Sequence, residues 1–165
     1  MEIDRALEWL QATRIASLIA ENDILFPWIE SIHVLAVVLV VGTISIVDLR
    51  LLGLASLDIG VRRVMRDVIP YTWGAFAVAA TTGLLMFSSD AKHYAHNHLF
   101  QAKLVVLVLA GVNMAAFHFL GVRDIDRWDG PGKTTPILAK AAAAISLLVW
   151  IAVVSLGRGI GFTMH

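Results

Sequence analysis

Hydrophobic positions along this chain fall into two regimes. From residue 3 to residue 23 apolar and charged residues interleave: Ile3, Leu7, Leu10, Ile15, Leu18 and Ile19 recur near helical spacing among Asp4, Arg5, Glu8, Arg14 and Glu21. That pattern predicts an amphipathic helix lying on a membrane surface. From Pro27 onward the apolar residues run on with little interruption. Four stretches, 27–47, 69–87, 99–122 and 136–156, each match the about 20 residues that cross a hydrocarbon core of about 30 Å. Pro27 suits the first turn of its helix, where the missing N–H is not needed, and Pro70 is expected to open the second span in the same way. Asp129-Gly130-Pro131-Gly132 marks a turn within 121–135.

In hydrocarbon every backbone N–H and C=O must be satisfied within its own segment, so the four stretches are helices rather than open strands. The fold class expected is therefore all-α: a four-transmembrane-helix bundle with an N-terminal amphipathic surface helix over 3–23, forming one membrane domain over 1–165.

Composition strengthens this reading. The chain is 58% hydrophobic and only 16% charged, against about 25% charged in an average soluble domain. Thirteen basic and thirteen acidic residues give no net charge, so nucleic acid is not an expected partner; the lipid bilayer is, with other membrane subunits or a homo-oligomer beside it. There is no cysteine, which excludes disulfides and thiolate chemistry. Glu2, Asp4, Arg5, Glu8, Arg14, Glu21 and Asp23 crowd the first 23 residues, a pattern that does not suit the apolar core of a cleavable leader.

Charge also sets orientation. Four spans put both termini on one side. The opposite side carries Arg50, Arg62, Arg63, Arg66, Arg123, Arg127, Lys133 and Lys140, while the terminal side carries Arg5, Arg14, Lys92, Lys103 and Arg158. Eight basic residues against five point to a cytoplasmic face away from the termini. The expected location is the bacterial cytoplasmic (inner) membrane, multi-pass, with both termini periplasmic.

Ionisable side chains inside a span are costly and each needs an account. His33 lies six residues beyond Pro27, about 9 Å along the helix axis, with Glu30 three residues earlier on the same face. A Glu-x-x-His pair suits a carboxylate-bridged metal site only if a second pair and further carboxylates exist, and the other spans contain none. A stronger reading takes His33 as an axial ligand to a b-type haem held between helices. Met86 and the loop histidines His93, His96 and His98 lie at its depth. His93 and His96 share a helical face and suit a metal such as copper or zinc. His118 sits near the opposite end of the third span, well over 10 Å deeper in the bundle, so it cannot share a haem with His33. It is expected to hydrogen-bond to Asp48, to Tyr71 or to a helix carbonyl. Asn113 reads as a bond between helices. Lys103 stands where it can pair with Glu30 or snorkel to the interface.

Three stretches carry a resemblance: Glu30-Ser-Ile-His33 leading to Asp48-Leu-Arg50-Leu-Leu-Gly53; Pro70-Tyr-Thr-Trp73-Gly74 followed by Thr82-Gly83-Leu-Leu-Met-Phe87; and Tyr94, Asn97, Phe100 and Lys103 ahead of Asn113 and His118. They resemble an uncharacterised family of small bacterial four-helix inner-membrane proteins over residues 25–122. In general shape that family is distantly similar to four-helix b-type cytochromes and to the copper-resistance D membrane proteins, an analogy of fold rather than of site. The residues themselves point to haem or metal binding and electron transfer near the periplasmic face, using His33 with one of His93, His96, His98 or Met86. Two other readings stand beside it: a non-catalytic membrane subunit or scaffold, and a small transporter in which Glu30, His33 and Lys103 line a polar path.

Overall fold

A computed structural model describes residues 2–121, 125–130 and 133–163, and among these every regular element is a helix. Two short helices, α1 (Glu2–Gln11) and α2 (Arg14–Glu21), precede α3 (Leu25–Leu52) and α4 (Val61–Ser89). A single short turn of helix, α5 (Ala91–His96), leads into α6 (His98–Ala116), which ends in a π-helical turn over Phe117–Gly121. Then follow α7 (Ile125–Trp128) and α8 (Ile137–Thr163). Four of these helices, α3, α4, α6 extended to Phe119, and α8, are long and apolar enough to cross a membrane.

The stretches 27–47, 69–87 and 136–156 lie largely within longer helices, 99–122 overlaps α6 and its π-helical turn, and the ends differ for identifiable reasons. Asn22 Oδ1 accepts from the N–H groups of Ile24 and Leu25, both at 3.0 Å, so α3 starts ahead of Pro27. At its other end Gly53 takes the left-handed conformation (φ 77°) that closes a helix. The amphipathic segment breaks in two because Thr13 caps α2: its hydroxyl donates to Leu10 O at 2.7 Å and accepts from Ala16 N. Pro70 does not open its span. It lies inside α4, whose first N–H groups are instead satisfied from a distant loop: Asp129 accepts from Val61 N at 2.7 Å and from Arg62 N at 3.0 Å. Asp129 is thus a cap rather than only a turn residue; Arg123 and the Pro131-Gly132 part of the expected turn lie outside the described residues.

Close backbone packing joins α4 to α3, α3 to α8 and α8 to α6; among the described residues α4 and α6 do not close the ring in the same way. The contacts follow from sequence. Ile29, Ala36, Val40, Val47 and Leu51 form the buried stripe of α3, and Ala139, Ala143, Ser146, Val153 and Ile160 that of α8. Small residues on α8 let the helices approach, the usual driving geometry in lipid. The main core cluster, Val47, Leu51, Val61, Val64, Ile125, Ala139 and Ala143, lies at the end of the bundle away from the termini. Outward faces remain apolar, with Leu35, Leu39, Val105, Val108, Leu148 and Ile151 all more than half exposed. Such a surface requires lipid.

The N-terminal helices are not spread on lipid alone. Leu7, Ala16 and Ile19 are buried against the protein, with α1 packed on α5 and α2 on α4. Ile3, Trp9, Ile15 and Leu18 face outward.

Candidate functional site

The end of the bundle that holds the termini brings His33, Lys103 and the loop histidines to one region. His33 stands on α3, half-buried, with its ring turned onto α4. Its Nδ1 lies 2.9 Å from the carbonyl oxygen of Ala79 and 3.0 Å from the hydroxyl of Thr82. A backbone carbonyl can only accept, so Nδ1 carries the proton and Nε2 the lone pair. Thr82 Oγ1 in turn donates to Val78 O at 2.7 Å. Gly83 clears space for the ring: a Cβ there would stand 3.1 Å from His33 Cε1. Nε2 makes no hydrogen bond to any described residue.

Lys103 reaches the same region from α6. Its charge is close enough to act on the His33 ring, and its Nζ lies beside α8, where a Cβ on Gly157 would stand 3.5 Å away. The expected pair with Glu30 is not formed: Glu30 is exposed and Lys103 has no ion pair among the described residues. Glu30 acts instead on Tyr94 of α5, whose phenol is held above the ordinary tyrosine range by burial first, then by the negative charges of Glu30 and Asp90. Tyr94 also belongs to an aromatic trio. Phe87 of α4 stacks on Phe100 of α6 with ring centroids 5.4 Å apart, and Tyr94 stands 5.5 Å from Phe100. Met86 lies on α4 one turn beyond Thr82 and is half-buried.

Two of the three loop histidines are committed elsewhere. His93 Nδ1 lies 2.9 Å from Asp90 Oδ2, and His96 Nδ1 lies 2.9 Å from Lys92 O, with its other nitrogen 3.9 Å from Asp4 Oδ1. His98 is exposed. Among the described residues no three His, Asp or Glu side chains converge as a metal site, so the metal reading of His93 and His96 finds no third donor. The cluster instead docks α1: Lys92 pairs with Glu8, and Gln11 donates to Asp90 at 3.2 Å. That pairing raises the Lys92 ammonium above its ordinary value, chiefly through the hydrogen bond to Glu8.

At the far end His118 sits in the π-helical turn, exposed, with its ring edge-on to Phe119 at 5.8 Å. Among the described residues none of its expected partners is realised. Tyr71 is 72% exposed, and Asp48, buried in α3, faces Ser146 of α8. One Asp48 oxygen, Oδ2, has no hydrogen-bond partner among the described residues. Buried Arg50 turns back to Ile59 O at 2.6 Å. Asn113 does bond between helices, donating to Ala142 O of α8 at 3.0 Å, and Thr72 donates to Thr43 at 2.9 Å across α3 and α4.

Sequence reasoning placed His33 at this end but missed what holds it. Ala79 gives no signal in sequence. Gly83 gives one, since an isolated glycine inside a helix marks a close approach, and the same applies to Gly157 opposite Lys103.

Residues 7–163 match the model of a family described as Family of unknown function (DUF6644). No curated protein and no solved structure matches the chain.

Proposed function

We propose that this chain, a member of that family of unknown function, is a multi-pass protein of the bacterial inner membrane. Both termini face the periplasm, and a b-type haem is bound near that face for electron transfer. His33 would hold it through Nε2. The observation that carries this reading is the 2.9 Å contact from His33 Nδ1 to the Ala79 carbonyl. A histidine that ligates a metal characteristically gives its other ring N–H to a carbonyl or carboxylate, which fixes the tautomer and aims the free nitrogen. What supports it in the surroundings is His33 Nε2, without a partner among the described residues, the Phe87–Phe100 aromatic pair, and two helices, α4 and α6, whose backbones are not packed closely together. Of the candidates for the opposite face, His93 and His96 are engaged by Asp90 and by Lys92 O, which leaves Met86, half-buried, and His98, exposed.

The periplasmic placement rests on the basic residues, eight on the opposite side against five on the terminal side. One haem is the limit of this reading, because His118 has no histidine at its own depth.

A second reading, a non-catalytic membrane subunit, is favoured by α6, which has no buried residue and so offers one whole face to lipid or to a partner helix. Detergent-purified protein from haem-replete cells separates the two. Reduced-minus-oxidised difference bands of a b-type haem, at one haem per chain, are expected. A colourless protein that remains folded leaves the subunit reading in place of the haem.

A further inference from the structure

A cation inside a membrane span needs compensation from a carboxylate, from the interface or from a ligand. Lys103 lies five residues past His98, about 7.5 Å along α6, and no carboxylate among the described residues pairs with it. Nor does its side chain run outward to the interface. Asn97 Nδ2 donates to Thr163 Oγ1 at 2.9 Å, which fixes the start of α6 level with the end of α8. Lys103 is six residues in from Asn97 and Gly157 six residues in from Thr163, so the two stand at one depth. The Nζ beside Gly157 therefore reaches sideways, at the level of its own backbone, and Gly157 supplies the room for it. The ammonium and His33 are within electrostatic reach of each other, with the Phe87–Phe100 stack on the neighbouring helices.

We propose that Lys103 receives an ionised carboxylate of the bound ligand, so that this site selects a flat apolar molecule carrying an acid group over its neutral counterpart. The proposal rests on the haem reading, in which that group is a propionate. Gly157 beside Lys103, and Thr82 and Gly83 beside His33, carry no charge, and Glu30, three residues before His33, is exposed and acts on Tyr94. A carboxylate arriving at Lys103 therefore meets a positive charge that no described side chain has already neutralised. A charge-assisted bond of this kind in a partly desolvated site discriminates by about tenfold or more.

The test uses the full chain in a neutral detergent and two iron-free probes, protoporphyrin IX and its dimethyl ester, followed by fluorescence. The wild-type chain should bind the free acid about tenfold or more tightly than the ester. Lys103→Met should bring the two close to equal, while Lys103→Arg, which keeps the charge, should retain the preference. His118→Gln, at the far end of the bundle, should retain it as well. Equal binding of acid and ester by the wild type, a preference that survives Lys103→Met, or no binding of either porphyrin each overturns the role of Lys103. The haem reading fails separately. Acid preference without a haem spectrum removes His33 ligation and leaves Lys103 standing, whereas a His33-dependent spectrum without acid preference does the reverse.

Discussion

The His33 ring lies against Gly83: a Cβ at position 83 would stand 3.1 Å from His33 Cε1. The ring cannot give way freely, because Ala79 O and Thr82 Oγ1 hold its Nδ1 at 2.9 and 3.0 Å. One α-carbon hydrogen on α4 thus decides where a half-buried imidazole of α3 can sit.

Gly83→Ala should therefore cost stability, by about 1 kcal/mol or more for an overpacked contact. Gly74, on the same helix, is the control: nothing lies within 4 Å of a Cβ there, and Gly74→Ala should be neutral or stabilising by up to about 1 kcal/mol. Thermal unfolding of both variants in detergent checks the pair. Equal midpoints would show that the ring is free to move.

Tyr94 supplies the pH dependence. Burial, then Glu30 and Asp90, raise its phenol above the ordinary value, so the folded chain keeps that proton to higher pH than the unfolded chain. The stability it contributes is fully present below the ordinary tyrosine value of about 10 and is lost as pH rises through the raised value. The chain has two tyrosines. In a Tyr71→Phe background the ultraviolet titration of Tyr94 should have its midpoint above that of free tyrosine. Glu30→Gln should lower it, though not to the free value, because burial is the larger cause.

Asp129 holds the start of α4 through Val61 N and Arg62 N. Asp129→Ala should cost about 1–2 kcal/mol, the range for a lost helix cap, and Asp129→Asn less, since one amide oxygen still accepts. Hydrogen exchange at residues 61–64 should rise in the alanine variant; unchanged exchange there would mean that the cap is dispensable.

The fold was legible because lipid imposes a length and a composition: α3, α6 and α8 read directly as uninterrupted apolar runs. The start of α4 was not. Its first turn is polar, Arg62, Arg63 and Arg66 among the valines, and its cap is 68 residues away, beyond any local rule. At the site the depth of His33 followed from counting residues from Pro27, and its distance from His118 from the direction of the helices. Its partners did not, because a backbone carbonyl such as that of Ala79 is the same at every position. The Glu30–Lys103 pair was a matter of depth alone, whereas rotation about the helix axes sends Glu30 outward and Lys103 toward α8.

Orientation is open to labelling. Single cysteines replacing Ser56, between α3 and α4, and Thr134, before α8, should react with an impermeant reagent only from the cytoplasmic side. One replacing exposed His93 in α5 should react from the periplasm. Labelling of all three from one side would contradict the four-span arrangement, and a reversed pattern would contradict the orientation.

The central claim is that His33 is the axial ligand. Gln can hydrogen-bond to Ala79 O in place of imidazole but is a poor axial ligand. The most direct measurement compares reduced-minus-oxidised spectra of the wild type, His33→Gln and His118→Gln, each purified from haem-replete cells and shown to be folded by circular dichroism. The account predicts a b-type haem spectrum in the wild type, its loss in His33→Gln, and a nearly unchanged spectrum in His118→Gln. A spectrum that survives His33→Gln and disappears with His118→Gln would contradict it, and would move the cofactor to the cytoplasmic end beside the π-helical turn.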